Sequence, residues 1–435
     1  MKYGILEYQN PRVINIGDGM QIFSVLALYR RMGIKEEEIC RVNYFELQTY
    51  DGEEVILPIC LPLYGYNENN RVTCFSPNIK PVFLSLSLFD TNLEEDEIRY
   101  LKQFEPIGCR DAFTAEGLAE RGIETYLNGC MTLTLDIGRK NIAAKKVYGI
   151  DLPPEFMEYI PQEIKDKLVL GTSIFKNIPV KTEEYAENLL EEYTQQAELV
   201  ITSRLHAAIP CFAAGIPVIF IHTEYSYRFS WLEDILPVYL PDEWEKICWS
   251  GSRITKNERA NEIRSLMREI ACERLAGTDA YAKIHCLQEI YKKREKRKYV
   301  RGPMEVAVQY MKKHWRENEA IEYAVWGLNQ AAASLIEYIE RAYPRAKCVA
   351  AIDAVKTKEF KGVQPRKIEE TNIKDVFVFV TADAVNPYAL TYFHQMGKAC
   401  SGYLFLWKHI KLKTDELKDA GIKKEKEQDT CEKQV

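Results

Sequence analysis

The sequence lacks the features that mark several protein classes. No apolar run reaches the roughly 18–20 residues of a membrane-spanning helix. There is no excess of basic charge: 58 Lys and Arg stand against 64 Asp and Glu, a formal net charge of −6. That excludes a broadly basic nucleic-acid surface. Six His and twelve Cys include no C-x-x-C pair and no His at zinc-finger spacing. The thiols therefore read as buried small hydrophobes of a reducing compartment, and no metal or disulfide framework is expected. Met1-Lys2-Tyr3-Gly4-Ile5-Leu6 runs straight into Glu7 and Asn10, with neither a signal core nor a small-residue cleavage site. The chain is expected to stay in the cytoplasm.

What is present is a globular composition, with 46% hydrophobic and 28% charged residues among 435. Short apolar runs alternate with amphipathic stretches, the βα pattern of parallel-sheet proteins. Strands are predicted at 3–8, 81–88, 106–109, 198–202 and 217–221. Helices are predicted at 20–31, 112–121, 183–196 and 205–214. Residues 136–147 show little periodicity and read as a boundary, with a strand at 168–171 opening a second series. After residue 301 a third series follows, with strands at 324–327, 348–353 and 375–381. The expected fold is α/β: two Rossmann-like lobes in a GT-B-like arrangement, 1–140 and 141–283, and a small C-terminal Rossmann-like domain at 305–410. Lys- and Arg-rich residues 284–304 read as a charged, solvated helix or linker, and 411–435 as a charged tail.

In open parallel sheets, ligands bind where strands hand over to helices, because backbone N–H groups and positive dipole ends point there. Three handovers carry polar residues. In Asn15-Ile16-Gly17-Asp18-Gly19 the glycines suit a tight turn, Asp18 suits a cap for a helix starting at Met20, and Asn15 and Asp18 would face a sugar hydroxyl. In Gly108-Cys109-Arg110-Asp111 a strand-end arginine offers a planar fork for a carboxylate or phosphate, with Asp111 or Glu105 as local alternatives. In Thr202-Ser203-Arg204-Leu205-His206, Ser203 can cap and Arg204 and His206 flank a helix start. The positive helix end favours neutral imidazole there, and hence a proton donor or acceptor. After the strand at 217–221, Arg228 and Tyr225 are further candidates for substrate contact, with a salt bridge or core packing as the structural alternative.

Asn15-Ile16-Gly17-Asp18, the Cys109-Arg110-Asp111 strand end, and the run Thr202-Ser203-Arg204-Leu205-His206-Ala207 through Gly215-Ile216-Pro217-Val218 resemble the polysaccharide pyruvyl transferases. The resemblance implies phosphoenolpyruvate as donor and a pyruvyl ketal placed across two hydroxyls of a sugar. It implies that Arg110 holds the donor, that His206 is the essential histidine and that Arg204 accompanies it. Two stretches differ: no lysine shortly follows Pro217-Val218, where Arg228 stands nearest, and Leu57-Pro58-Ile59-Cys60-Leu61-Pro62 replaces a Gly-rich loop.

The chemistry suits the residues by itself. Phosphoenolpyruvate carries a carboxylate and a phosphate, which two or more arginines near helix N-termini would hold, and a histidine would protonate the enol carbon. No cofactor or metal is required. The implied partners are phosphoenolpyruvate and a glycan or lipid-linked sugar acceptor of a surface polysaccharide. Nucleic acid is excluded, membrane association is at most peripheral, at an inner face, and a homo-oligomer is left open. Two other classes share these features: a GT-B glycosyltransferase using a nucleotide sugar, and a non-catalytic glycan-binding relative. In the third series, Trp326-Gly327-Leu328-Asn329-Gln330-Ala331-Ala332 occupies the place of a dinucleotide fingerprint but keeps only its first glycine. A structural role is favoured there over nucleotide binding.

Overall fold

The computed structural model describes residues 1–8, 14–63, 75–88, 91, 93–141, 143–249, 258–292, 303–382 and 385–406. The expected tail at 411–435 and most of the charged stretch after residue 292 lie outside the described residues. The chain divides into two compact units, Met1–Val300 and Arg301–Val435.

The first unit opens with β1 (Lys2–Glu7), β2 (Ile14–Asn15) and α1 (Ile16–Met32), followed by β3 (Ile39–Asn43), β4 (Val55–Ile59), β5 (Pro62–Leu63), β6 (Ile79–Phe83) and β7 (Ser87–Leu88). Then come α2 (Glu95–Leu101), β8 (Ile107–Cys109), α3 (Ala112–Ala119) and β9 (Thr125–Leu127). The first sheet has the order β3-β1-β4-β6, all parallel, and β8 pairs in parallel with β9. Its strands are short runs such as VILPI, buried on both faces as a parallel sheet requires.

A second sheet follows from β10 (Lys146–Ile150), α4 (Gln162–Lys165), β11 (Leu168–Gly171), β12 (Ile174–Phe175), α5 (Thr182–Gln196), β13 (Ala197–Thr202), α6 (Leu205–Ala213), β14 (Val218–Ile221) and β15 (Val238–Tyr239). Its order is β11-β10-β13-β14-β15, again parallel throughout. The second series thus begins at Lys146, inside the stretch expected to be a boundary, and not at Leu168. Lys146 and Asp151 flank a run of only four, VYGI, which hides the strand from periodicity.

One hydrophobic core runs through both sheets. It joins Ile5, Met20 and Phe23 to Val200, Ile209 and Phe220. Helix α1 packs against α5 and α6, and β2 pairs antiparallel with β12, Asn15 opposite Ile174. The unit closes with α7 (Glu258–Ala276) and α8 (Tyr281–Lys292). The expected solvated helix is amphipathic instead, because Ile284, Leu287, Ile290 and Tyr291 of α8 are buried in that core.

The second unit contains α9 (Pro303–His314), β16 (Glu322–Trp326), α10 (Gln330–Ala342), β17 (Lys347–Ile352), β18 (Pro365–Arg366), β19 (Phe377–Val380), α11 (Asn386–Gln395) and β20 (Tyr403–Phe405). Its parallel order, β18-β17-β16-β19-β20, is Rossmann-like. Asn329, at the second fingerprint position, caps α10 by accepting the Ala332 N–H at 3.0 Å. Asp353 accepts the backbone N–H groups of Leu328, Val355 and Lys356 at 2.9–3.0 Å. A side chain on Gly327 would meet Ala382 at 2.5 Å. The backbone consumes the polar groups that a dinucleotide would use.

Among the described residues, no helix is long and apolar enough to cross a membrane.

Candidate functional site

The carboxyl ends of β10, β11, β13 and β14 and the start of α1 supply residues around one cavity. At the centre is the turn from β13 into α6. Thr202 Oγ1 donates to the Ile150 carbonyl at 3.0 Å and accepts the Arg204 N–H at 2.9 Å. Arg204 is the residue at the helix cap, and Ser203 does not cap: its hydroxyl donates to the Asp151 carbonyl at 2.6 Å. His206 then falls in the first turn of α6.

His206 packs directly on α1. A side chain at Gly17 would stand 2.5 Å from His206 Nδ1, so only glycine allows this approach. His206 Nε2 is buried with no hydrogen-bond partner. Burial holds the imidazole well below its ordinary pKa, and the positive charges of Arg110 and Arg228 push in the same direction. It is therefore neutral at pH 7, as the helix-start argument expects, with burial as the larger cause.

Helix α1 starts four residues earlier than expected. Asn15 is its cap, accepting the Gly17 N–H at 3.0 Å. Asp18 does not cap. It lies in the first turn, where burial pushes its carboxyl up to about 6 against the lowering influence of Arg110 and Arg228. The two glycines serve close approach within a helix, not a turn: Gly17 admits His206, and Gly19 admits the Thr182 backbone of α5.

Arg110 is fully buried at the end of β8. Neither Asp111 nor Glu105 neutralises it through an ion pair. Its guanidinium donates to the Gln21 side chain, to the Cys60 carbonyl, and more weakly to Ser85 Oγ at 3.4 Å. Nη1 is buried without a partner. Asp111 caps α3 through the Thr114 N–H at 2.9 Å, as the sequence indicates. Arg110 therefore stands behind the cavity wall as a charge held by neutral acceptors, not as an open fork.

The cavity, of about 150 Å³, is lined by Asn15, Ser203, Arg204, His206, His222 and Arg228, with Thr172 and Ser173. Arg204 pairs with Asp151 Oδ2 at 2.9 Å. Asp151 directly follows β10 with φ 49°, in the left-handed region. Burial raises its carboxyl pKa, but hydrogen bonds from Ser173 and the Arg204 charge outweigh that and hold it below the usual range. His222 Nδ1 accepts the Glu224 N–H at 3.2 Å, which leaves the proton on Nε2. Burial keeps this ring neutral as well.

Tyr225 is displaced from the expected site. It is buried, with its hydroxyl on the Phe229 carbonyl at 3.2 Å and on Glu233 at 3.1 Å, and it does not line this cavity. Trp231 is fully buried against Gly129. Sequence reasoning missed Asp151, Ser173 and Gln21. Asp151 alone carried a signal, a carboxylate directly after an apolar strand.

The fold and site define an α/β protein of parallel sheets whose strand ends surround a small polar cavity with guanidiniums and a neutral imidazole. Residues 15–225 match the model of the polysaccharide pyruvyl transferase family. Two solved structures are also similar. A functionally uncharacterised protein of Klebsiella pneumoniae subsp. pneumoniae shows 17% identity over 51% of this chain and 83% of its own, with a TM-score of 0.33. The accessory secretory protein 1, 2 and 3 structure of Streptococcus pneumoniae shows 17% identity over 57% and 55%, with a TM-score of 0.29. No curated protein matches the chain.

Proposed function

We propose that the chain transfers the three-carbon unit of phosphoenolpyruvate to a sugar as a pyruvyl ketal, with the donor in the cavity at His206. The observation that carries this reading is the neutral His206 with its free Nε2, set in the field of two guanidiniums at the start of α6. A dianion bound there would oppose the charges of Arg110 and Arg228 and raise the imidazole pKa. His206 would then take up a proton and deliver it to the donor's methylene carbon, a contribution on the order of 10²–10⁴-fold. Arg204 and Arg228 line the cavity and would hold phosphate and carboxylate, while Ser203 and Asn15 supply neutral polar contacts. Arg110, buried and not lining the cavity, would act on the donor through its charge and not through direct contact.

Cavity size favours this donor. About 150 Å³ suits a small dianion, whereas drug-sized ligands occupy roughly 300–1,000 Å³. On this reading the two sheets of the first unit act as GT-B-like lobes, divided near residue 140, and the acceptor belongs to a surface glycan or its lipid-linked precursor. The reaction needs no cofactor, and it belongs at the inner face of a membrane, in the cytoplasm. The second unit serves docking or structure.

The test is phosphate release from phosphoenolpyruvate in the presence of sugar acceptors, together with thermal shift. Stabilisation by phosphoenolpyruvate and not by UDP or GDP is expected, and His206→Ala should release no phosphate while melting like the parent. Stabilisation by UDP or GDP alone would replace this reading with a glycosyltransferase.

A further inference from the structure

A second cavity, of about 450 Å³, adjoins the first and shares Asn15 with it. Its wall carries Glu7, Tyr8, Asp18, Arg41, Lys181 and Glu183. Arg41 of β3 is forked between Glu7 at the end of β1 and Glu183 in α5. That pairing already neutralises Arg41. Three carboxylates against two cations leave the wall with a formal charge of −1, so an anionic ligand is repelled while hydroxyl donors find acceptors. Tyr8, with Tyr44 at 4.5 Å between ring centroids, offers an aromatic surface for the C–H face of a ring.

Asp18 lines the second cavity and not the first, but shares its electrostatic surroundings with His206. Arg110 and Arg228 act on both. Among the described residues its side chain makes no hydrogen bond or ion pair.

We propose that this cavity is the acceptor subsite, that it takes an uncharged hexose unit, and that Asp18 removes the proton from the first attacking hydroxyl. The proposal rests on the transferase reading above. His206 gives its proton to C3 of the donor, turning the methylene into a methyl and leaving C2 electron-poor. The first hydroxyl oxygen bonds to C2 and its proton passes to Asp18. The C2–O bond to phosphate then breaks, the electron pair leaves with the phosphate, and that phosphate takes the proton from Asp18 and departs as the monoprotonated dianion. The second hydroxyl closes on C2 and returns its proton to His206. Two hydroxyl protons are consumed, one in the methyl group and one in the phosphate. Burial, which pushes the Asp18 carboxyl up to about 6, makes it a stronger base than an ordinary carboxylate, yet still mostly ionised at neutral pH.

The experiment measures phosphate release by the full chain with phosphoenolpyruvate and, as probes, the methyl glycosides of glucose, galactose and mannose, with methyl glucuronide as the charged comparison. Asp18→Asn is expected to lower kcat at least 100-fold while the KM for phosphoenolpyruvate stays within threefold. Lys181→Trp, at the exposed rim, is expected to raise the glycoside KM at least tenfold with no change in the donor KM. The glucuronide is expected to react at less than a tenth of the glucoside rate. If wild type is active and Asp18→Asn keeps kcat within fivefold, the assignment of Asp18 is wrong and the transferase reading stands. If Lys181→Trp raises the donor KM instead, the cavity is not the acceptor subsite. If wild type releases phosphate with the glucuronide but with none of the three neutral glycosides, this proposal fails and the transferase reading stands; if it releases phosphate with none of the four, the transferase reading fails and this proposal with it.

Discussion

Gly17→Ala tests how the imidazole is held. The new methyl would stand 2.5 Å from His206 Nδ1 and 3.1 Å from both His206 Cβ and Asn15 Oδ1. Ordinary contact starts at 3.4 Å, so the ring must retreat by 3.4 − 2.5 = 0.9 Å. A rotation about Cα–Cβ does not relieve this, because Cβ itself is crowded. A displacement of ~1 Å at a reacting group costs on the order of 10²-fold in rate. Stability moves far less. Gly17 lies in the first turn of α1 without a positive φ, so alanine gains up to about 1 kcal/mol of helix propensity. Crowding a packed site costs about 1–3 kcal/mol in the other direction. The expected result is a roughly 100-fold loss of phosphate release with a melting temperature lowered by only a few degrees, followed by far-UV circular dichroism. Turnover at the wild-type rate would refute the claim that contact with α1 positions His206.

Further outcomes follow from the same geometry. His206 and His222 are both held neutral below their ordinary pKa. Below about pH 6.5 the unfolded chain protonates them and the folded chain does not, so stability falls by up to ~1.4 kcal/mol per pH unit for each. Asp18 has the opposite sign: with its carboxyl raised to about 6 from 3.8, it gains its proton first in the folded state and adds stability as pH falls through that window. In urea melts at pH 7, 6 and 5, His206→Gln should therefore lose stability less steeply than wild type, and an unchanged slope would contradict a buried neutral ring. Asp151→Asn tolerates the left-handed backbone but loosens Arg204. The pair is only partly exposed, with the Arg204 side chain 49% and the Asp151 side chain 15% accessible, so its loss should cost on the order of 1 kcal/mol while the KM for phosphoenolpyruvate rises several-fold; an unmoved KM would separate Arg204 from the donor. Gly129→Ala places a methyl 2.6 Å from the Trp231 ring at φ 85°. Left-handed strain of ~1–2 kcal/mol joins overpacking of ~1–3 kcal/mol, and denaturant unfolding should show at least ~2 kcal/mol lost.

The βα alternation was legible because strands such as β14 are uninterrupted apolar runs and helices such as α5 carry a clear amphipathic period. The strand-end positions of Arg110, Arg204 and His206 followed from that alternation. Two kinds of detail did not. Glycines near the start of α1 read as a turn because sequence does not reveal which residue approaches them; here they admit His206 and the backbone of α5. The partners of Arg110 come from Gln21, Cys60 and Ser85, between 25 and 89 positions away, and no local pattern announces a contact at that range. Tyr225 illustrates the converse. An aromatic in a strand-end loop looks available to a sugar, but its hydroxyl is drawn inward by the Phe229 carbonyl and Glu233.

The shared interior of the first unit limits how such a protein can be recombined. A gene fragment that stops between the sheets would encode half of an oily interior and leave Met20 and Phe23 facing water. A graft that exchanges one half with that of a relative would have to carry α1, α5 and α6 as a block. New acceptor preferences are more readily gained at the rim, at positions such as Lys181, where a change of side chain leaves that interior intact.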